Sequence, residues 1–308
     1  MMFAWLWVVF TIIAAFFQTL RNAMQRELTT TLGTVGATHV RFLFGFPFAL
    51  IFLLGLIVGT DVPLPRPGWA FWPWVIDGAV AQIAATATML MAMGERSFVV
   101  TIAYIKTEPI QVAIFGLIFL GDAVSLPLMT AIIVATAGVL IMSIPHPSLP
   151  RTRGREGWGM VGGIKPTLIG LFSGGLFALS AIGYRGAILD LHLKNFVMAA
   201  TFTLVVGLVM QAAVLSLYLW LRQPAVMTAI AKSWKRSLFA GFMGALASQF
   251  WFLAFALTTA ASVRTLALIE VLFAQLVARY AFGQKTTKRE VIGMLFVVAG
   301  VVLLILEH

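Results

Sequence analysis

The chain has 308 residues, 61% of them hydrophobic and 10% charged, with a formal net charge of +10. Its mean hydropathy of +0.99 excludes an ordinary soluble domain, where about 25% of residues are charged. Apolar stretches of about 20 residues recur along the whole length, enough for a helix to cross a hydrocarbon core, whereas the strict alternation over about 10 residues that marks a membrane strand is missing. An all-α integral membrane bundle is therefore expected. The basic excess is divided among short loops, which suits topology signalling and contact with membrane lipids and gives nucleic acid no continuous surface. With no cysteine in the chain, disulfides, thiolate catalysis and cysteine-held metals are excluded.

Ten transmembrane helices are predicted, at roughly 3–24, 35–59, 70–93, 98–120, 125–144, 167–189, 195–221, 236–258, 262–282 and 288–306. The first has no preceding basic region and reads as a retained span, not a cleaved leader. Its last turns carry Gln18, Arg21, Asn22 and Gln25 at steps of 3, 1 and 3. That stripe is either an interfacial cap or one wall of a vestibule, with Arg21 available to an anionic group. The breaker DVPLPRPG closes the second span. The third offers Gln82, Thr86, Met89 and Met93 on one face, with Asp77 read as interfacial near its start.

The fourth span is the most informative. Thr101, Tyr104, Glu108, Gln111 and Phe115 follow steps of 3, 4, 3 and 4 and form one continuous stripe. A hydroxyl, a phenol, a carboxylate and an amide in one row cannot face lipid cheaply, so the row should face a cavity or another helix. Pro109 directly follows Glu108, and a mid-helix proline would kink the span and free the carbonyl of Ile105. On a regular helix Lys106 would point about 160° away from Glu108 and either pair with another helix or snorkel.

Residues 145–166 form the longest polar loop, between a first half at 1–144 and a second at 167–306. In the eighth span Trp251 and Phe255 stand where Met89 and Met93 stand in the third, as an apolar pocket lining or as core packing; Gln249 is its polar member. The ninth span holds Arg264, read as reaching the interface, then Glu270 and Gln275. Leu306-Glu307-His308 reads as a cloning scar, and residues 307–308 as a tag remnant.

Glu108 and Glu270 lie 162 residues apart, and at that same offset Ala92 meets Ala254, Gly121 meets Gly283, Ala137 meets Ala299 and Gly138 meets Gly300. One five-helix unit has been used twice. Because five is odd, the second copy enters the membrane from the opposite side, an inverted repeat that places a binding site between the halves. An ionisable group at mid-membrane costs about 2.5–3.5 kcal/mol on insertion scales, so two acids at matched places point to a central polar site. Small-residue spacings such as Gly55/Gly59 and Gly170/Gly174 are expected to bring helices close. Lysine and arginine cluster after the odd-numbered spans, which by charge bias puts both termini outside.

FFQTLRNAMQ, THVRFLFGFPFAL with Arg41, IKTEPIQVAIFGLIFLGD, IEVLFAQLVARYAFGQ and the paired AGVLIM and AGVVLL appear in this order. The whole chain thereby resembles the drug/metabolite transporter superfamily, in its bacterial EamA-type branch. The resemblance implies a secondary carrier, most often an exporter, of small metabolites such as amino acids or related amines, in the bacterial inner membrane. It implies alternating access around a central cavity, no cofactor, protons as a coupling ion, and a monomer or dimer with both termini in the cytoplasm. Family members carry Gly-Glu after helices 4 and 9, where this chain has Gly121-Asp122 and Gly283-Gln284. The expected substrate-binding residues are Glu108, Tyr104, Thr101, Gln111, Gln82, Gln18, Arg21, Glu270, Trp251 and Phe255. His39, His146, His192 and His308 are scattered, and HExxH, GxSxG and phosphate-loop signatures are missing. A membrane-embedded enzyme acting on lipid-linked substrates would need acid/base groups near one interface. An uncoupled facilitator is the other alternative.

Overall fold

The computed structural model describes residues 5–60, 62–95, 105–142, 164–273, 275–276 and 287–307. Its elements are α1 (Leu6–Leu43), α2 (Phe46–Thr60), α3 (Phe71–Glu95) and α4 (Glu108–Phe115), continued by a π turn at Gly116–Leu120. Then come α5 (Leu126–Met142), α6 (Ile164–Asp190), α7 (Phe196–Arg222), α8 (Pro224–Lys232) and α9 (Trp234–Leu257). The series closes with α10 (Ala260–Leu266), a 3₁₀ turn at Ala267–Ile269 and α11 (Lys288–Glu307). No strand occurs among the described residues. Among the described residues six helical stretches are long and apolar enough to cross a membrane, and Glu108–Leu120 and Leu126–Met142 are shorter apolar helices. Side chains such as Ile51, Leu54, Ile118, Leu221 and Leu295 stand exposed on the outside, a surface suited to lipid. The predicted connecting loop is mostly outside the described residues, as are Thr101 and Tyr104.

Three of the predicted boundaries change. The expected loop after the first span is helical as far as Leu32, with Thr29, Thr30 and Thr31 donating their hydroxyls to the carbonyls of Arg26, Glu27 and Leu28. The chain turns only at Gly33, whose φ of 67° and ψ of 178° favour a residue without a Cβ. A short additional helix, α8, begins at Pro224, where a missing N–H costs nothing in the first turn. The fourth span is interrupted by a turn, and the ninth tightens from α10 through a 3₁₀ turn before helix resumes at Glu270. Lys106 and Thr107 form a turn, so Pro109 falls in the first turn of α4 and not in the middle of a kinked helix.

The most extensive crossings are α1 on α9, α3 on α6 and α5 on α11. Each relies on small residues. A Cβ on Gly183 would lie 2.6 Å from the Gly78 backbone nitrogen, and one on Gly138 would lie 2.6 Å from the Gly293 carbonyl. A Cβ on Gly300 would come 2.6 Å from that of Ala135. Gly55 and Gly59, expected at a helix contact, instead face open space. Their spacing was legible but the face was not, since both neighbours on α2 are apolar whichever way it turns. We expect Gly183→Val to lower stability by about 1–3 kcal/mol, the usual cost of overpacking, whereas Gly59→Val should unfold at the native midpoint in a detergent melt.

Tyr184 wedges the centre. It is 1% exposed, with its ring against Gly78 of α3 and Gly207 of α7 and 4.6 Å from the Phe252 ring.

Candidate functional site

The two irregular segments bring their glutamates into the interior, and each glutamate meets a cation from the other half of the chain. Lys106, in the turn before α4, places Nζ 2.6 Å from Oε2 of Glu270, and both side chains are 6% exposed. Arg264 of α10 places Nε 3.0 Å from Oε1 of Glu108 at similar burial. Lys106 thus pairs with another helix, one of the two outcomes expected for it, and does not snorkel. Arg264 does not reach the interface as predicted. Thr259 caps α10, accepting from the Ser262 N–H at 3.2 Å, and Arg264 lies one helical turn inside, 7% exposed.

The two pairs differ in quality. Glu270 is held on both oxygens: Lys106 takes one, and the Gln18 amide donates to the other. Gln18 in turn accepts from the Trp251 indole N–H at 2.9 Å. In the second pair the close atoms are not aligned as a hydrogen bond, and Glu108 Oε1 and Arg264 Nε each lack a partner of that kind. The Arg264 guanidinium is instead stacked, 4.6 Å from the Trp251 ring and 5.4 Å from that of Phe255. Such cation–π contacts contribute about 2 kcal/mol or more where water is excluded. Trp251→Phe keeps a ring under Arg264 but removes the indole N–H; we expect a loss of about 1 kcal/mol in unfolding free energy, that of one hydrogen bond.

Beside these pairs lies a closed cavity of about 10 Å³, lined among others by Gln18, Arg41, Gln82, Tyr184, Trp251 and Arg264. It has room for roughly one water. Gln82 is fixed there by the Gln211 amide, which donates to it at 3.0 Å and to the Ala79 carbonyl at 3.1 Å.

Of the predicted residues, Glu108, Glu270, Gln18, Gln82, Trp251 and Phe255 are brought together, with Arg21 close by. Arg21, Asn22 and Gln25 are buried at 1%, 5% and 0% exposure, so the helix 1 stripe is interior and not an interfacial cap. Gln111 is separate: its amide turns to Thr107 and the Leu171 carbonyl on α6. Met89 packs in an apolar cluster with Leu28 and Ile105. Lys106, Arg264 and Arg41 were not in the predicted set. For Lys106 and Arg264, presence in the same apolar segments as the two acids was the available signal, since a buried acid calls for a cation within reach.

No family model matches the chain, and no curated protein matches it significantly. Among solved structures 28 chains match. One, a crystal structure, is similar over 98% of this chain and 96% of its own, with a TM-score of 0.72 at 14% identity. At that identity the likeness shows the fold alone. Together, fold and interior charge define an all-α protein of the integral-membrane class.

Proposed function

We propose that the protein is a secondary transporter of small metabolites, such as amino acids or related compounds, of the EamA type in the drug/metabolite transporter superfamily. It works in the bacterial inner membrane as an exporter. The observation that carries this reading is the pair of crossed ion bridges, Lys106–Glu270 and Glu108–Arg264, each joining one half of the chain to the other beside a closed polar cavity. Ionisable groups at such depth usually mark substrate or ion pathways. Broken helices whose ends meet at mid-membrane are a recurrent way of building a transporter site.

The ten-helix, two-repeat architecture belongs to the same proposal. Exchanging the halves turns the α1–α9 crossing into α3–α6 and maps α5–α11 onto itself, which supports it. The mechanism is alternating access. The halves are latched by the two bridges in the closed form. A substrate or proton that competes for Glu108 weakens one latch, and the halves rock about the site.

The test is counterflow of a mixed amino-acid and amine pool into liposomes, with native protein and Glu108→Gln side by side, with and without a pH gradient. Selective uptake by the native protein alone supports the carrier and its site. Uptake at equal rates by both would remove Glu108 from it, and uptake indifferent to the gradient would favour an uncoupled facilitator.

A further inference from the structure

The buried centre is not electrically balanced. Among the described residues near it, four cations, Arg21, Arg41, Lys106 and Arg264, face only two carboxylates, Glu108 and Glu270. The two acids are already engaged by Lys106 and Arg264. Arg21 feels Glu270, but both oxygens of that carboxylate are taken by Lys106 and Gln18.

Neither arginine is satisfied as a donor. Arg21, 1% exposed, donates from one terminal nitrogen to the Asn22 side chain at 2.8 Å, while its Nε and other terminal nitrogen have no partner. Arg41, 3% exposed, donates to the Thr86 hydroxyl at 3.2 Å, and its Nε has no partner. Their stems run side by side over Gly244 of α9: a Cβ there would meet Arg21 Cδ at 3.3 Å and Arg41 Cγ at 3.4 Å. Arg41 lines the closed cavity together with Arg264. Two neighbouring arginines therefore carry unpaired guanidinium N–H groups, donors of the kind that suits carboxylate and phosphate oxygens.

The Arg185–Asp122 pair offers a contrast. Arg185 reaches both oxygens of Asp122, at 3.1 and 3.2 Å. In sequence Arg21 aligns with Arg185, and Gln284 stands in the place equivalent to Asp122. The first-half arginine thus lacks the acid that neutralises its second-half counterpart.

We propose that Arg21 and Arg41 dock an anionic group, a carboxylate or a phosphate, of the molecule that this protein carries. This rests on the transporter reading and narrows its substrate class. A simple amine would add a fifth positive charge to the centre. A molecule with one or two anionic groups removes the imbalance, and one that also bears an ammonium has Glu108 within the same centre.

The test uses purified full-length protein in detergent and measures binding of succinate, L-glutamate, inorganic phosphate and ethylamine by calorimetry and by the shift in melting temperature. The native protein is expected to bind at least one anion and not ethylamine, and Arg41→Gln and Arg21→Gln to bind that anion at least tenfold more weakly. Succinate and glutamate against phosphate separate the two kinds of anion. Without ligand both variants should melt at or above the native temperature, since a buried charge without a partner has been removed. Binding of ethylamine alone, no anion binding, or unchanged anion affinity in both variants would each overturn the proposal. So would a lower melting temperature in the ligand-free variants, which would make the arginines structural. Counterflow of the same compounds keeps the two readings apart. Anion binding without flux leaves the docking site standing and rejects the carrier, whereas flux of ethylamine without anion binding does the reverse.

Discussion

Lys106→Met should unfold far more readily than the native protein, by about 3–5 kcal/mol, the cost of stranding one member of a buried ion pair. The bridge to Glu270 is 2.6 Å long with both side chains 6% exposed, so little water could replace the lost ammonium. Gln18 alone would remain on the carboxylate. The double variant Lys106→Met/Glu270→Leu should recover most of the loss, because hydrophobic pairs of similar volume often match or exceed a buried salt bridge. A double-mutant cycle on unfolding in detergent gives the coupling directly. Additive losses in the two single variants would mean that the bridge does not join the halves.

Glu108→Gln should behave differently, losing transport before stability. The bridge to Arg264 is close at 3.0 Å but not aligned as a hydrogen bond, so less is forfeited when the carboxylate becomes an amide of the same size. Arg264 also keeps its seat on the Trp251 and Phe255 rings. We expect counterflow to fall on the order of 100-fold, about 2.7 kcal/mol of transition-state stabilisation, with a melting temperature closer to native than that of Lys106→Met. A variant that carries substrate at the native rate would sink the assignment of Glu108 to the site. The contrast between the two substitutions separates a bridge that holds the structure from one that exchanges partners.

The class of the protein was legible in composition, and both glutamates were legible from their place in apolar segments. The partners were harder. Helical geometry pointed Lys106 to another helix, where it is found, but not to Glu270 as its partner; a proline three residues on was the sign that a helix restarts there. Arg264 was set toward the interface because it begins a predicted span, but that span is a short capped helix lying deep. Gln111 stands one turn beyond Glu108 on the same helix, but its amide is drawn to Thr107 and the Leu171 carbonyl of α6, neighbours that the spacing does not name. Hydrophobic periodicity reports the face of a regular α-helix, and one central segment holds a turn and the other a 3₁₀ stretch. The close crossings at Gly138, Gly183 and Gly300 depend on which faces meet, and spacing alone does not carry that.

Every major crossing joins a helix before residue 143 to one after residue 163: α1 to α9, α3 to α6, α5 to α11. The early helices thus have their principal neighbours encoded late in the message. During synthesis they must wait in the bilayer, with the Lys106 ammonium and the Glu108 carboxylate still lacking Glu270 and Arg264. At about 5–20 residues added per second, that wait lasts many seconds. The interval in which an insertion chaperone or a quality-control protease can act on this chain is set by its topology.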